Sequence, residues 1–206
     1  MGYRSHWEKI YATKRHDEVS WYQPTPVVSL DFINELNIPK DAAIIDVGGG
    51  DGYLVDNLLA AGFTDITVLD ISEVAINKAK QRLGKEAEKI NWIVSDINEL
   101  ATDKKFDCWH DRAAFHFLTT EKQVEKYLSI TQKLISKNGR MIIGTFSTSG
   151  PEKCSGLPIK QYNEQSLSKA LKTWFEKIKC ITTDHVTPLN TIQNFLFCSF
   201  KKINFQ

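Results

Sequence analysis

The sequence predicts an α/β fold: a doubly wound, mostly parallel seven-stranded sheet with a C-terminal antiparallel hairpin, in three layers with helices on both faces. Three observations carry this. The stretch AAIIDVGGGDGYL, Ala42–Leu54, reads as a buried strand, a tight loop with Gly48, Gly50 and Gly52 at alternate positions, and a helix start. From there to Phe146, apolar strand-like runs alternate with amphipathic runs, which implies parallel crossovers with both sheet faces covered. Two further strand-like runs joined by a short turn then close the chain, and a hairpin makes them antiparallel.

The first forty residues stand apart. Trp7, Ile10 and Tyr11 recur at helical spacing within Arg4–Lys14, predicting a short helix with one aromatic face. The prolines of DEVSWYQPTP bar regular structure until Thr25 caps and Pro26 opens a helix to Leu36, with Leu30, Ile33 and Leu36 inward. Trp7, Trp21 and Tyr22 then form either a packed layer or a lid that closes over the glycine loop and excludes water. Residues 1–40 are therefore assigned as an N-terminal helical and aromatic lid segment and residues 41–206 as the ligand-binding domain, the two making one structural domain.

Beyond the loop, a helix from Gly52 to Ala61 stops at Gly62, and Ile66–Leu69 forms strand two, ending in Asp70. Ser72 caps the next helix, with Val74, Ile76, Ala79 and Leu83 inward and Gly84 as its stop. Ile90–Val94 is strand three and Phe106–His110 strand four. Glu121–Ser136 is a helix closed by Asn138-Gly139, and Arg140–Phe146 is strand five. A long Gly-, Pro- and Ser-rich loop, Thr148–Tyr162, leads to a helix over Glu164–Thr173 and the closing strands Phe175–Val186 and Asn194–Lys202.

The chain has 206 residues, enough for one buried core, and its 26 basic and 25 acidic residues leave a net charge of +1. No Lys/Arg block argues for nucleic acid as a partner. No apolar run has the length of a signal-peptide core or a membrane span, so no membrane partner and a cytoplasmic location are expected. Cys108, Cys180 and Cys198 fall in apolar strands and read as core thiols, while Cys154 falls in the loop. Their spacing suggests neither a metal site nor a redox dithiol. Oligomeric state is not written in this sequence.

The glycine loop lets backbone approach a ligand closely, and the helix start behind it offers unpaired N–H groups. A dinucleotide fingerprint needs G-x-G-x-x-G, but its last place holds Tyr53 counted from Gly48 and Val55 counted from Gly50. What is present is Asp46 followed by Gly48, Gly49, Gly50 and Gly52. Asp70, about 20 residues on at a strand end, is placed to accept from two ribose hydroxyls, with Ile71 against an adenine ring. Asp96 and Ile97 follow strand three. This set resembles the class I S-adenosylmethionine-dependent methyltransferases. The resemblance implies S-adenosylmethionine as methyl donor, S-adenosylhomocysteine as product, Asp46 holding the loop or the donor's ammonium, and Asp96 meeting the adenine amine.

The words HWEKIY and DEVSWYQ are similar to the opening of small bacterial methyltransferases. The block FDCWHDRAAFHFL is similar to the Asp-Lys-Gly-Thr-aromatic-Asp block of protein-lysine methyltransferases, with Arg112, Ala114 and His116 departing from it. His110, Asp111 and His116 are the polar groups expected near the transferred methyl, with histidine suited to proton transfer. Trp21, Tyr22, Arg112, Cys154 and Tyr162 are the candidate acceptor contacts. A small polar or thiol-bearing acceptor is expected. The alternatives are a protein lysine and a module that binds the donor without transfer.

Overall fold

The computed structural model describes residues 2–204; Met1 and Phe205–Gln206, the outermost residues of the two assigned segments, lie outside the described residues. Helix α1 (Tyr3–Thr13) and α2 (Val27–Glu35) precede a parallel core of β1 (Ile44–Val47), β2 (Ile66–Asp70), β3 (Ile90–Val94), β4 (Phe106–Arg112) and β5 (Ile135–Phe146). The crossover helices are α3 (Leu54–Ala60), α4 (Glu73–Leu83) and α5 (Glu121–Leu134). A small hairpin, β6 (Lys153–Cys154) and β7 (Leu157–Pro158), leads to α6 (Glu164–Leu171) and the closing strands β8 (Phe175–Val186) and β9 (Ile192–Lys202).

The main sheet has the order β3-β2-β1-β4-β5-β9-β8, with β9 antiparallel to both β5 and β8. The seven strands and the closing hairpin are those the sequence predicts. Every residue of β1 and β2 is buried, as expected for central strands covered on both faces. Strand order reverses between β1 and β4, and such a switch point opens a crevice at the carboxyl ends of the strands.

Four local expectations are corrected. Helix α2 starts at Val27 with Pro26 at the N-cap and no side-chain cap, because Thr25 instead offers its carbonyl to the Val27 N–H at 2.9 Å. Strand β4 runs two residues past His110, through Asp111 and Arg112, which pair with Ile143 and Gly144 of β5. The expected open loop over 148–162 contains the β6–β7 hairpin, and Cys154 within it is buried. Cys180 and Cys198 are not core thiols: they stand opposite each other on β8 and β9 and form a disulfide, a pairing that their sequence separation of 18 conceals.

Two apolar layers flank the sheet. One is built from Trp109, Phe115, Tyr127 and Leu134 beneath α5; the other from Phe32, Ile33, Leu54 and Leu58 of α2 and α3 with Phe195 and Phe197. Helix α2 is thus part of the main core. Helix α1 docks on α4 through reciprocal end contacts: the Glu8 carboxylate accepts from Ser72 Oγ and from the backbone N–H groups of Glu73 and Val74 at 2.8–3.1 Å, while Lys78 Nζ donates to the Tyr11 and Lys14 carbonyls. Each side chain meets groups that a helix terminus leaves unpaired. Among the described residues, no helix is long and apolar enough to cross a membrane.

Candidate active site

At the carboxyl ends of β1, β2, β3 and β4 lies one large cavity, about 1390 Å³ of non-protein space including its open mouth. It is bounded by the glycine loop, Asp70, Ile71, Asp96 and Ile97 on one side, and by His110, Arg112, Ser29 and Cys154 on the other, with Trp7, Tyr11, Trp21 and Tyr22 above.

The loop geometry is set by glycine where the backbone turns left-handed. Gly48 has φ +68, and a Cβ there would stand 2.7 Å from Ala114 Cβ. Gly50 has φ +55, and a Cβ there would stand 2.4 Å from the Tyr11 hydroxyl. Close approach at Gly50 therefore serves the N-terminal helix, which packs its tyrosine onto the loop. Gly50 does not border the cavity, whereas Gly48, Gly49 and Gly52 do. Arg82 holds the far side of the loop: it pairs with Asp56 through two nitrogens at 2.8 and 3.0 Å and donates to the Asp51 and Gly52 carbonyls.

Asp70 ends β2 with its carboxylate buried at the cavity wall, accepting from Ser72 N at 2.8 Å and from the Gly50 N–H. Burial lifts its carboxyl to about 7, against those N–H groups, and the nearby charges of Asp51 and Asp46 act in the same direction as burial. A buried carboxylate at a cavity wall, with no cation paired to it among the described residues, is suited to accept from hydroxyl groups. Together with the glycine cradle, it fits a ribose-bearing donor. Asp96 accepts from Asn98 N with one oxygen at 2.8 Å and lines the cavity beside Ile97.

On the other side, His110 is held between two partners. Its Nδ1 lies 2.7 Å from Asp46 Oδ1 and its Nε2 lies 2.9 Å from Ser29 Oγ. An ionised Asp46 requires Nδ1 to donate, leaving Nε2 of the neutral ring to accept from the Ser29 hydroxyl. Asp46 thus engages His110 rather than presenting a free carboxylate.

The two-residue period of β4 separates the other candidates. His110 and Arg112 face the α2 side; Trp109 and Asp111 face α5. Asp111 Oδ1 accepts from the Ala114 and Phe115 N–H groups at 3.1 and 2.9 Å, and its Oδ2 accepts from the Tyr127 hydroxyl at 2.9 Å. His116 is fully buried between the rings of Phe117 and Phe146, and burial together with the Arg112 charge pushes its pKa down to about 3. Neither residue borders the cavity, and both expectations for them are corrected: they brace the turn after β4. Tyr162 packs on Phe115 at 5.3 Å between centroids, also away from the cavity. Cys154 does border it, and burial pushes its thiol up to about 11.

Tyr11, His16, Ser29 and Asp51 are cavity residues that motif reasoning passed over as site groups. Tyr11 carried a signal in its helical spacing with Trp7. The other three carried none: Ser29 is placed by the seating of α2, and His16 meets Asp51 at 3.4 Å only once the chain folds back.

The family described as "Methyltransferase domain" matches residues 38–195. A ubiquinone biosynthesis O-methyltransferase of Rickettsia conorii is 27% identical over 179 residues, covering 84% of this chain and 61% of that protein. A Mus musculus eEF1A lysine and N-terminal methyltransferase is 24% identical over 149 residues, covering 69% of this chain and 21% of that protein. This chain therefore spans less than two thirds of either relative. In fold it is similar to a Burkholderia thailandensis 1,6-didemethyltoxoflavin-N1-methyltransferase solved with that molecule and S-adenosylhomocysteine bound. The TM-score is 0.74 at 20% identity, over 98% of this chain and 87% of that one.

Proposed function

This chain belongs to the methyltransferase-domain family, and we propose that it transfers a methyl group from S-adenosylmethionine to a small polar acceptor. One observation carries the reading: a single cavity joins the glycine loop, Asp70 and Asp96 to the His110, Arg112 and Ser29 group. The first set holds the donor. Gly48, Gly49 and Gly52 admit its amino-acid part, Asp70 accepts from its ribose hydroxyls, and Ile71, Asp96 and Ile97 meet its adenine. The bound donor supplies an electrophilic methyl on a sulfonium.

The second set handles the acceptor. Displacement at a methyl needs the nucleophile aligned opposite the sulfur, and orientation of that kind is worth roughly 7–11 kcal/mol in favourable systems. Where the acceptor arrives protonated, the Ser29 hydroxyl and His110 Nε2 take the proton, and Asp46 stabilises the ring as it becomes charged. Cys154 stays protonated and takes no covalent part. The N-terminal segment over residues 3–23 acts as a lid, placing Trp7, Tyr11, Trp21 and Tyr22 over the cavity, where they exclude water.

A protein acceptor is the second reading, favoured by the likeness to the eEF1A lysine and N-terminal methyltransferase. Two measurements test the proposal. Calorimetry should give micromolar binding of both S-adenosylmethionine and S-adenosylhomocysteine, and absence of both refutes it. Radiolabel from the donor, incubated with size-fractionated cell extract, should enter the low-mass fraction; label in protein transfers the assignment to the second reading.

A further inference from the structure

We infer that the acceptor is a small organic anion, a carboxylate on a planar body, seated against the Arg112 guanidinium; this rests on the methyltransferase reading of the same cavity. Arg112 ends β4 on the face shared with His110 and borders the cavity. Its guanidinium lies over the Phe195 ring, 5.1 Å from the centroid, and Nη1 donates to the Trp21 carbonyl at 3.1 Å. Among the described residues no carboxylate lies within ion-pair distance of it. The acid in its electrical reach, Asp46, is already bonded to His110.

Arg112 is half-buried, and a guanidinium that gives up part of its water without an ionic partner carries a desolvation cost. Burial lowers the Arg112 pKa to about 10, which still leaves it positive at neutral pH. The remaining N–H groups of the fork are available to the cavity, and a guanidinium pairs with a planar carboxylate through two parallel hydrogen bonds. The same cavity has aromatic walls: Trp7 packs edge-to-face on Trp21 at 5.8 Å and on Phe117 at 5.3 Å between ring centres, and all three line it with Arg112. A charged recognition point beside aromatic walls selects a planar acid. It also places the acceptor beside the His110–Ser29 pair and across the cavity from Asp70.

The test uses protein saturated with S-adenosylhomocysteine and titrated with benzoate or its neutral counterpart benzamide, followed by protein NMR. Benzoate should bind at least about tenfold more tightly, the scale of one charge-assisted pair. In Arg112→Gln this preference should vanish while S-adenosylhomocysteine affinity stays within about twofold, which also shows that the variant is folded. Arg112→Lys, keeping charge but not the fork, should recover part of the preference. Equal binding of the two probes to wild type, or binding of neither, overturns the inference with the methyltransferase reading intact. A large loss of S-adenosylhomocysteine affinity in Arg112→Gln, with the benzoate preference retained, also overturns it and assigns the guanidinium to the donor's own carboxylate. Failure of S-adenosylhomocysteine to bind wild type brings down the methyltransferase reading instead.

Discussion

Donor affinity should depend on pH through Asp70. Its buried carboxyl titrates at about 7, raised from the usual 3.8 by burial and by the nearby Asp51 and Asp46 charges. In the proposed ribose contact the hydroxyls donate to the ionised form, so binding would select the carboxylate. For a group titrating near 7, the ionised fraction falls from roughly 0.9 at about pH 8 to roughly 0.1 at about pH 6, which weakens apparent affinity about tenfold, or ~1.4 kcal/mol. The sign for stability runs the other way. Because the folded value lies above the unfolded one, this group's contribution to stability falls as pH rises from about 4 to about 7, and donor binding offsets that loss. Calorimetry with S-adenosylhomocysteine across this range measures the effect. Asp70→Asn should flatten the pH dependence and weaken binding at about pH 8 by roughly 1.5–3 kcal/mol, the scale of hydrogen bonds to a charged group. Because the Asp51 charge helps to raise Asp70, Asp51→Asn should move the step to lower pH without removing it. A wild-type affinity that is flat in pH, or a step that survives Asp70→Asn, refutes the ribose assignment.

Three further outcomes follow from the same geometry. Glu8→Ala removes the cap that α1 supplies to α4 and should cost roughly 0.5–2 kcal/mol of lid docking, read as faster amide exchange in α1 and faster S-adenosylhomocysteine release; unchanged exchange would show that the aromatic contacts alone hold α1. The same contact holds the Glu8 carboxyl below its usual range, so its stabilisation persists above that range and is lost as pH falls through the lowered value. His110→Ala should lower kcat by about 10²–10⁴ with donor affinity unchanged; an unaltered kcat means that the acceptor arrives deprotonated. Cys180→Ser should lower the unfolding free energy by up to about 3 kcal/mol for a closed segment of this length, and titration of four free thiols in the unreduced wild-type protein would refute the bond.

The sheet, the glycine loop and the positions of Asp70 and Asp96 beyond strands two and three, where both line the cavity, were legible because each is fixed by local sequence: a strand must end, a loop must turn, and a ligand crevice forms there in any doubly wound sheet. The acceptor side was less so. His110, Asp111 and Arg112 look equivalent when strand four is ended at His110. Extended through Arg112, the same three residues alternate, and the strand's period of two sends Asp111 to Tyr127 while His110 and Arg112 reach the cavity. One misplaced boundary thus decides which groups are chemical. Ser29 had no signal at all, since its role depends on α2 lying against β4, 81 positions away. The Cys180–Cys198 bond needed the β8–β9 register.

The same packing redraws the proposed lid. Sequence alone marks it at residues 1–40, from composition. Within that stretch, α2 buries Phe32 and Ile33 in the main core and fixes Ser29 against His110, so moving it would break that contact and with it the proposed proton path. Helix α1 has different anchorage: the Glu8 and Lys78 end contacts, the Trp7–Trp21–Phe117 ring cluster and Tyr11 over Gly50. These are few and directional, and they lie at the rim of the site. Opening confined to residues 3–23 would uncover the donor crevice while leaving Asp46, His110 and Ser29 assembled. Donor exchange and proton transfer are thereby assigned to different parts of one N-terminal segment. A Glu8 substitution should then act on donor release and a Ser29 substitution on turnover, with little crossover between them.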